Sequence, residues 1–260
     1  MSIVPVTNPE GLVELFSRDI ALHIYALADL EEPYWSNSTW WRRGDAAVGL
    51  VGLPGGHTVV YAVSSADPDR TLDLLAEPEV MSAIGPGLVT GVTGVENIFV
   101  AAGRELDWHR GYHRYVLADV GQVPEPISDV VPLGLRNVDE ALALYATEPK
   151  AAFFLRSMMS DETFCGVRSN GRLVAIAGTH VISERSKAAA IGAVYTHPDY
   201  RGRGLGRAVT AGVIGRLEGR ADVIGLNCTD TNTAAISVYT TLGFTPALAY
   251  SECEIAPFQL

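Results

Sequence analysis

The sequence predicts an α+β fold: a mixed, mostly antiparallel β-sheet flanked by helices, present in two tandem domains. Three observations favour it. Strand-like and helix-like segments alternate along the whole chain, and the two halves repeat nearly the same order of segments. Between the halves lies DVGQVPEPISDVVP, a proline-rich stretch without a sustained period, which is typical of a linker. We therefore expect domains over residues 1–120 and 132–260, with a linker over residues 121–131.

The first half begins with a predicted strand, IVPV, and two predicted helices, PEGLVELFSR and DIALHIYALADL. Three strands follow in STWWRR, AAVGLVGL and TVVYAVSS, and then a helix in PDRTLDLLA. The half ends with a weak strand, GLVTGV, a helix, VENIFVAAGREL, and a strand, YHRYVLAD. Trp40 and Trp41 precede two arginines, a pairing also found in nucleic-acid-binding patches, but the acidic surroundings favour a packed strand.

The second half opens with a short strand, VVPLGL, and a helix, VDEALALYAT, that Asn137 is placed to cap. We expect a second helix from about Lys150 to Met159. Two strands then meet at Asn170-Gly171, a strong signal for a two-residue hairpin turn. The remaining segments are predicted as a strand, a helix, a strand, a helix and a strand: KAAAIGAVYTH, LGRAVTAGVIGRLEG, DVIGLNC, NTAAISVYTTLG and TPALAYSECEI.

The net charge of −11 is concentrated in the first half of the chain. Residues 1–128 hold 7 basic and 17 acidic side chains, and residues 129–260 hold 12 and 13. An acidic chain is a poor partner for nucleic-acid phosphates, and no segment approaches the run of about 18 apolar residues that a membrane span needs. We therefore expect no nucleic acid and no membrane as a partner.

The cysteines are three in number and widely separated. They give no metal-ligand spacing and fit a reducing compartment. The first residues, MSIVPVTNPEGLVELF, lack the basic and apolar regions of a secretory signal. These features predict a cytoplasmic protein without a metal.

The segment His197–Val209, HPDYRGRGLGRAV, carries the most specific signal in the chain, because three glycines alternate with other residues between a predicted strand and a predicted helix. The first amides of a helix have no partner within the helix and carry partial positive charge. Glycines let a phosphate approach them closely. The turn therefore predicts a pyrophosphate site, although an ordinary glycine-rich loop with solvated arginines has a similar pattern. It fits neither the dinucleotide fingerprint, whose third glycine would fall at Arg207, nor the Walker loop.

The stretch Arg201–Gly206, RGRGLG, resembles the Arg/Gln-x-x-Gly-x-Gly/Ala signature of the GNAT superfamily of N-acetyltransferases. Downstream, LNCTDTNTAAISVYTTLGF resembles the second motif of that family. Two motifs in the family's order are more specific than either alone, and the resemblance covers about Val130 to Ile255. AVYTHPDYRGRGLG is also similar, more weakly, to the glycine N-acyltransferase-like branch. The expected architecture is then two GNAT-like domains, the first divergent and without a CoA loop, the second catalytic.

The resemblance implies acetyl-CoA as co-substrate and no metal. The pyrophosphate is expected on backbone amides of the glycine-rich loop, and the pantetheine amides on the open edge of the strand before it. Asn232 is expected to bind the cofactor arm, although the same residue also fits as a helix N-cap. The residues expected to bind the cofactor are Val194, Tyr195, Thr196, Arg201, Gly202, Arg203, Gly204, Leu205, Gly206, Arg207 and Asn232.

Tyr239 is expected to be the general acid. It follows Asn232 by seven residues, two turns along one helix face. A tyrosine hydroxyl, with a pKa of about 10, can give a proton to the thiolate that leaves. A core aromatic residue is the alternative interpretation.

The general base stays open at this stage. Some GNAT enzymes use a glutamate on the strand before the loop, but this chain has about Ala188 at that position. His180, Glu184 and His197 are titratable residues nearby, and a water relay is the other possibility.

The sequence thus predicts an N-acyltransferase that moves an acetyl group to an amine of a small molecule or amino acid, by direct attack in a ternary complex, as a monomer or homodimer. A catalytically inactive acyl-CoA sensor and a nucleotide-binding enzyme are the alternatives. In the first half the corresponding turn, SSADPDR, has Asp67 and Asp69 and no glycine, and these carboxylates would repel a pyrophosphate. We expect the first domain to shape the acceptor pocket, where its acidity favours a cationic acceptor.

Overall fold

The computed structural model describes residues 3–64, 67–117, 119, 121, 123, 129–149 and 151–257. The chain divides into two compact units. The first contains Met1–Arg114, Thr229–Thr231 and Ala247–Leu260, and the second contains Tyr115–Cys228 and Asn232–Pro246. Most of the linker expected over residues 121–131 lies outside the described residues.

The strands of the first unit are β1 (Val4–Val6), β2 (Ser38–Arg43), β3 (Ala46–Gly52), β4 (Thr58–Ala62), β5 (Gly87–Gly91), most of β6 (Leu106–Leu117) and the end of β12 (Phe244–Ile255). The helices of this unit are α1 (Glu10–Phe16), α2 (Ile20–Asp29), α3 (Pro68–Leu75), α4 (Pro78–Ala83) and α5 (Val95–Ala101). The strands form a sheet in the order β1-β2-β3-β4-β5-β12-β6. In it β1 pairs with β2, β2 with β3, β3 with β4 and β5 with β12 in antiparallel orientation, whereas β4 and β5 are parallel.

The β2 tryptophans lie on opposite faces of this sheet, and both are buried. Trp40, 1% exposed, packs in a cluster with Phe16 and Tyr61. Trp41 belongs to a second cluster, which includes Phe99. Gly49 pairs directly with Trp40, and a Cβ there would collide with the indole ring. The interpretation of STWWRR as a packed strand is therefore confirmed.

The strands of the second unit are β7 (Val130–Pro132), β8 (Cys165–Ser169), β9 (Arg172–Ser183), β10 (Ala188–Thr196) and β11 (Val223–Thr229), and its helices are α6 (Val138–Tyr145), α7 (Leu205–Leu217) and α8 (Thr233–Thr241). The strands form a sheet in the order β11-β10-β9-β8-β7. In it β10 and β11 are parallel, whereas β9 pairs with both β10 and β8, and β8 with β7, in antiparallel orientation. The predicted fold class, a mixed and mostly antiparallel sheet with flanking helices, is confirmed.

Local signals in the second unit had different outcomes. The hairpin is confirmed: Asn170 and Gly171 have φ of 50° and 79° and join β8 to β9, as a two-residue turn of this type requires. The helix expected from about Lys150 to Met159 is wrong, since a 3₁₀ helix covers Arg156–Asp161 and residues 151–155 are not helical. Phe154 packs instead against the Tyr145 ring at 4.9 Å, so aromatic burial overrides the helical pattern.

The three cysteines are buried and form no disulfide. Burial raises the pKa of the Cys165 thiol to about 11 and that of the Cys253 thiol to about 12. These two side chains therefore stay protonated near neutral pH and behave as core residues. Across the described part of the chain, each helix is too short or too polar to cross a bilayer, and no group of three or more potential ligands is arranged to hold a metal ion.

A buried carboxyl group makes the stability of the first unit depend on pH. Asp29, the last residue of α2, is 7% exposed, and burial raises its pKa from 3.8 to about 8. Between these two values the folded state binds the proton more tightly than the unfolded state. Stability therefore falls as pH rises through this window. The negative end of the helix dipole adds to the cost of a charge at this position.

The substitution Asp29→Asn keeps the shape of the side chain and removes its ionisation. We expect the variant to melt higher than the wild type at both pH values, by a smaller margin at pH 5 than at pH 9, because the wild type loses stability progressively from its unfolded pKa of 3.8 up to its folded pKa of about 8. Thermal unfolding followed by circular dichroism at the two pH values checks this. An equal difference in Tm at both pH values would contradict it.

Candidate active site

Strand β10 loses its parallel partner halfway along its length. The register joins Ala188–Ile191 to Val223–Leu226. Beyond that point β10 continues to Thr196 and β11 to Thr229, but among the described residues they no longer pair with each other. The two strands therefore diverge, as the resemblance implies, and leave an edge of β10 open beside residues 192–196.

A β-bulge lies within this open segment. Gly192 pairs with Gly178 of β9, and Tyr195 pairs with Ile176, so that β10 contains one extra residue. Ala193, at the bulge, has φ of 53°, in the left-handed region that residues with a Cβ rarely adopt. The bulge changes the direction of β10 just after the strand leaves β11.

Side chains from two other elements bind the backbone of the bulge. The Tyr145 hydroxyl, at the end of α6, donates a hydrogen bond to the Ala193 carbonyl at 2.6 Å. The Ala193 amide donates a hydrogen bond to Nε2 of His180, on β9, at 3.0 Å. Both polar groups of Ala193 are thus bound by side chains.

The glycine-rich loop connects β10 to α7. Gly202 and Gly204 have φ of 74° and 76°, and no atom of a described residue lies within 4 Å of the position that a Cβ of Gly202 would occupy. Gly204 is the N-cap residue of α7, and no side chain caps this helix. No described residue accepts a hydrogen bond from the amides of residues 202–207. These amides can therefore bind an anion, with the positive end of the helix dipole behind them.

Arg201 is occupied by contacts within the protein. Its guanidinium forms an ion pair with Glu148 and donates a hydrogen bond from Nε to the Thr196 carbonyl at 3.1 Å. Its backbone amide donates to the Pro198 carbonyl at 3.2 Å. Arg201 therefore ties the loop to the end of β10 and to the segment after α6, and the unbound amides of the loop begin at Gly202.

The other two arginines differ from each other. Arg203 donates a hydrogen bond to the Asp199 carbonyl at 3.0 Å and lies over the Tyr200 ring. Arg207, half-buried in the first turn of α7, forms no hydrogen bond or ion pair with any residue that the structure describes. In the same turn the Leu205 side chain packs against the core. Its amide is the first of α7, at the loop end of the helix.

The three predicted residues at the end of β10 use their side chains for packing. Val194 packs against the cluster that contains the α7 side chains, whereas Tyr195 belongs to the cluster on the other face of the sheet. Tyr195 is 4% exposed, and its hydroxyl lies 2.8 Å from Oγ1 of Thr147. Thr196 is half-buried. Any contact of Tyr195 with a cofactor would therefore come from its backbone.

Asn232 immediately precedes α8 and Tyr239 lies within it, so both residues are on the helix predicted for them. Oδ1 of Asn232 accepts a hydrogen bond from the Ala235 amide at 3.2 Å, so that Asn232 is the N-cap of the helix. Tyr239 is 7% exposed and packs edge-to-face against Phe244, with ring centres 6.1 Å apart. Asn232 is thus a helix N-cap and Tyr239 a core aromatic residue, which are the alternative interpretations given for them above. Their seven-residue spacing places both on one face of α8.

The candidate bases differ in their surroundings. Burial lowers the pKa of His180 to about 4, and its Nε2 already accepts the Ala193 amide. Glu184 pairs with Arg220 at 2.8 Å, at the opposite end of β10 from the loop, roughly 26 Å away along the strand. Nδ1 of His197 accepts a weak hydrogen bond from the Asp199 amide at 3.3 Å. Only His197 lies beside the glycine-rich loop.

The sequence reasoning missed the bulge and the role of Tyr145. One signal was available: Gly192 is an isolated glycine in a strand pattern, which is typical of a bulge or of a close approach. In the structure the His180 ring covers Gly192, and a Cβ there would collide with it. Glu148, the partner of Arg201, was also missed, because no local pattern connects residues 53 positions apart.

The chain was compared with known proteins. Residues 136–244 match the model of the acetyltransferase (GNAT) family. No curated protein matches the chain. Similar solved structures include a Drosophila protein (16% identity, TM-score 0.73, 98% of each chain covered) and a GCN5-related N-acetyltransferase from Sphaerobacter thermophilus (16%, TM-score 0.59, 99% of this chain and 98% of that one). A tandem GNAT protein from the clavulanic acid biosynthesis pathway is also similar (16%, TM-score 0.55, 99% of each).

At these identities the solved structures show the fold, and a tandem arrangement of two GNAT-like halves is compatible with them. The glycine N-acyltransferase-like branch is not singled out by the comparisons and stays a prediction. The matched segment contains β10, the glycine-rich loop, α7 and α8. Residues 136–244 are therefore similar to the acetyltransferase (GNAT) family, and the solved structures share the fold.

Proposed function

We propose that this protein is an N-acyltransferase that transfers the acetyl group of acetyl-CoA to an amine of a small molecule or amino acid. The observation that carries the proposal is the row of amides at residues 202–207, which no described residue binds, at the end of an open-edged strand. The loop can bind an anion, and the open strand edge can bind an extended chain. CoA contains both, in its pyrophosphate and its pantetheine arm.

The cofactor contacts divide between backbone and side chain. The amides from Gly202 onward would bind the pyrophosphate, and Arg207, which pairs with no described residue, would add a positive charge beside it. The pantetheine arm would pair with β10 through the backbone of Val194 and Thr196, in the place that β11 has left. Asn232 would contact the arm through its amide nitrogen while its Oδ1 caps α8.

The reaction is a direct transfer. The amine nitrogen attacks the thioester carbon, the C–S bond breaks, and the thiolate takes a proton from the Tyr239 hydroxyl. The proton lost by the amine passes to water, alone or in a relay that reaches His197 at the loop end of β10, because Glu184 and His180 are engaged elsewhere. No acyl-enzyme is involved in this scheme, since the pKa of the Cys165 thiol is raised and no activated nucleophile is evident among the residues that the structure describes.

An inactive acyl-CoA sensor is the second candidate. The burial of Tyr239 in the core, at 7% exposed, favours it, because a core aromatic residue needs no catalytic duty. For the enzyme, we propose a cytoplasmic location, in keeping with three unpaired cysteines, and action as a monomer or homodimer.

A matched pair of glycine substitutions tests the loop. Gly202 and Gly219 have φ of 74° and 73°, and in the described part of the chain no atom lies within 4 Å of where a Cβ of either glycine would be. Gly202→Ala and Gly219→Ala should each cost about 1 kcal/mol in stability from the left-handed backbone. We expect only Gly202→Ala to weaken CoA binding, by at least about tenfold, because only that loop binds the pyrophosphate. Calorimetric titration with CoA checks this, and equal affinities in both variants would contradict the loop assignment.

Two substitutions separate the capping role of Asn232 from ligand binding. Asn232→Ser keeps a good N-cap and Asn232→Ala removes it, so we expect a stability loss of about 1 kcal/mol for alanine and little for serine. Both lack the amide nitrogen, so both should weaken CoA binding to a similar extent. Thermal unfolding and calorimetry report the two effects. If Asn232→Ser binds CoA like the wild type, then Asn232 only caps the helix.

Tyr239→Phe tests catalysis. It removes the hydroxyl and keeps the packing against Phe244, so CoA affinity and Tm should change little, while kcat falls by about 10² because the thiolate loses its proton donor. Thiol release with a panel of amines measures the rate. An unchanged kcat rules out Tyr239 as the acid, and tight CoA binding by the wild type without turnover on any amine would favour the sensor.

A further inference from the structure

Ala193 is held in an unfavourable conformation inside a strand. The structure describes four non-glycine residues with positive φ, and the other three, Glu162, Asn170 and Lys187, lie outside strands. The left-handed conformation costs a residue with a Cβ about 1–2 kcal/mol. The surrounding structure must therefore stabilise the bulge.

One buried side chain, Tyr145, and one half-buried side chain, His180, supply that stabilisation, and the protonation state of each suits its role. Tyr145 donates to the Ala193 carbonyl, and burial raises the pKa of its hydroxyl well above 10, so it remains a donor. Burial lowers the pKa of His180 to about 4, so the ring is neutral. Because the Ala193 amide points at Nε2, we assign the ring proton to Nδ1. The Phe153 carbonyl lies 3.2 Å from the same Nε2, which has no proton to give it in this tautomer.

The position of the bulge connects it to the proposed reaction. It begins two residues after Ile191, the last β10 residue paired with β11, and so lies on the open edge. Three residues, roughly 10 Å, separate Ala193 from the end of β10 at Thr196. A pantetheine arm that starts at the glycine-rich loop and pairs along this edge would bring its thioester to the bulge.

We propose that Tyr145 and His180 are positioning residues that hold the β10 bulge in the form that binds the thioester group of acetyl-CoA. The inference rests on the proposed function. By binding both polar groups of Ala193, the two side chains prevent β10 from returning to a regular ladder, and they fix the backbone that meets the thioester. Gly192 contributes to the same arrangement, because only a residue without a Cβ leaves room for the His180 ring.

The test compares CoA with acetyl-CoA, because only acetyl-CoA has a thioester. Tyr145→Phe removes the hydrogen bond and keeps the ring packing, His180→Leu removes the acceptor, and His180→Gln retains one. We expect Tyr145→Phe and His180→Leu to lower kcat about tenfold and to weaken acetyl-CoA binding severalfold, with CoA affinity within about twofold of wild type. His180→Gln should recover most of the kcat.

Thr147→Val is the matched control. It removes a hydrogen bond to the Tyr195 hydroxyl, close to Tyr145 in the chain, without touching Ala193. It should lower Tm and leave kcat and the ratio of the two dissociation constants unchanged. If Tyr145→Phe behaves like Thr147→Val, the bulge contacts are merely structural and the inference is overturned. Should His180→Leu fail to fold, the isosteric Tyr145→Phe decides alone.

The outcomes also separate this inference from the proposed function. If the wild type binds neither CoA nor acetyl-CoA, the proposed function fails, and the inference fails with it. If the wild type binds both and turns over, but the variants keep the wild-type ratio of dissociation constants and the wild-type kcat, only the inference fails.

Discussion

The pairing of β10 is the constraint on which the candidate site depends. The strand is hydrogen-bonded along both edges as far as Ile191 and along only one edge after it. Backbone groups on a vacated edge need new partners, and an extended ligand can supply them. The bulge at Ala193 lies in that half-paired segment, and the glycine-rich loop begins where the segment ends. The divergence of β10 and β11 thus leaves an open edge on which a pantetheine arm can bind, and the bulge on that edge lies where the thioester of the arm would be.

The positive charge at the glycine-rich loop comes mainly from backbone dipoles. Two of the three loop arginines already bind groups of the protein, Arg201 a carboxylate and Arg203 a carbonyl, so they shape the loop. The amides at the start of α7 carry fixed partial charges whose positions follow from the loop conformation. In the first unit the N-terminus of α3 is occupied, because Asp67 caps this helix by accepting a hydrogen bond from the Arg70 amide at 3.0 Å. An internal carboxylate there takes the position that an anionic ligand would need.

Local patterns in the sequence predicted those features that local chemistry determines. The Asn170-Gly171 hairpin, the buried strand at Trp40 and Trp41, and the strand-loop-helix around Gly204 all follow from residues next to one another. The bulge did not follow in the same way, since Tyr145 and Ala193 are 48 positions apart. The helix expected from about Lys150 failed for a related reason, because Phe154 is drawn toward Tyr145 and Phe164 by tertiary packing that its neighbours do not encode.

The pairing of β12 with β5 affects how the first unit folds during synthesis. Ser251–Ile255 pairs with Gly87–Gly91, across more than half of the sequence, and its Cys253 and Ile255 fill a core that also contains Val89 and Phe99. On a ribosome, those early residues emerge long before the segment that completes their sheet exists. Until residues 251–255 have been synthesised, one edge of β5 has no strand to pair with and the apolar layer beneath it is incomplete. The first unit therefore cannot complete its sheet during synthesis before this late segment emerges.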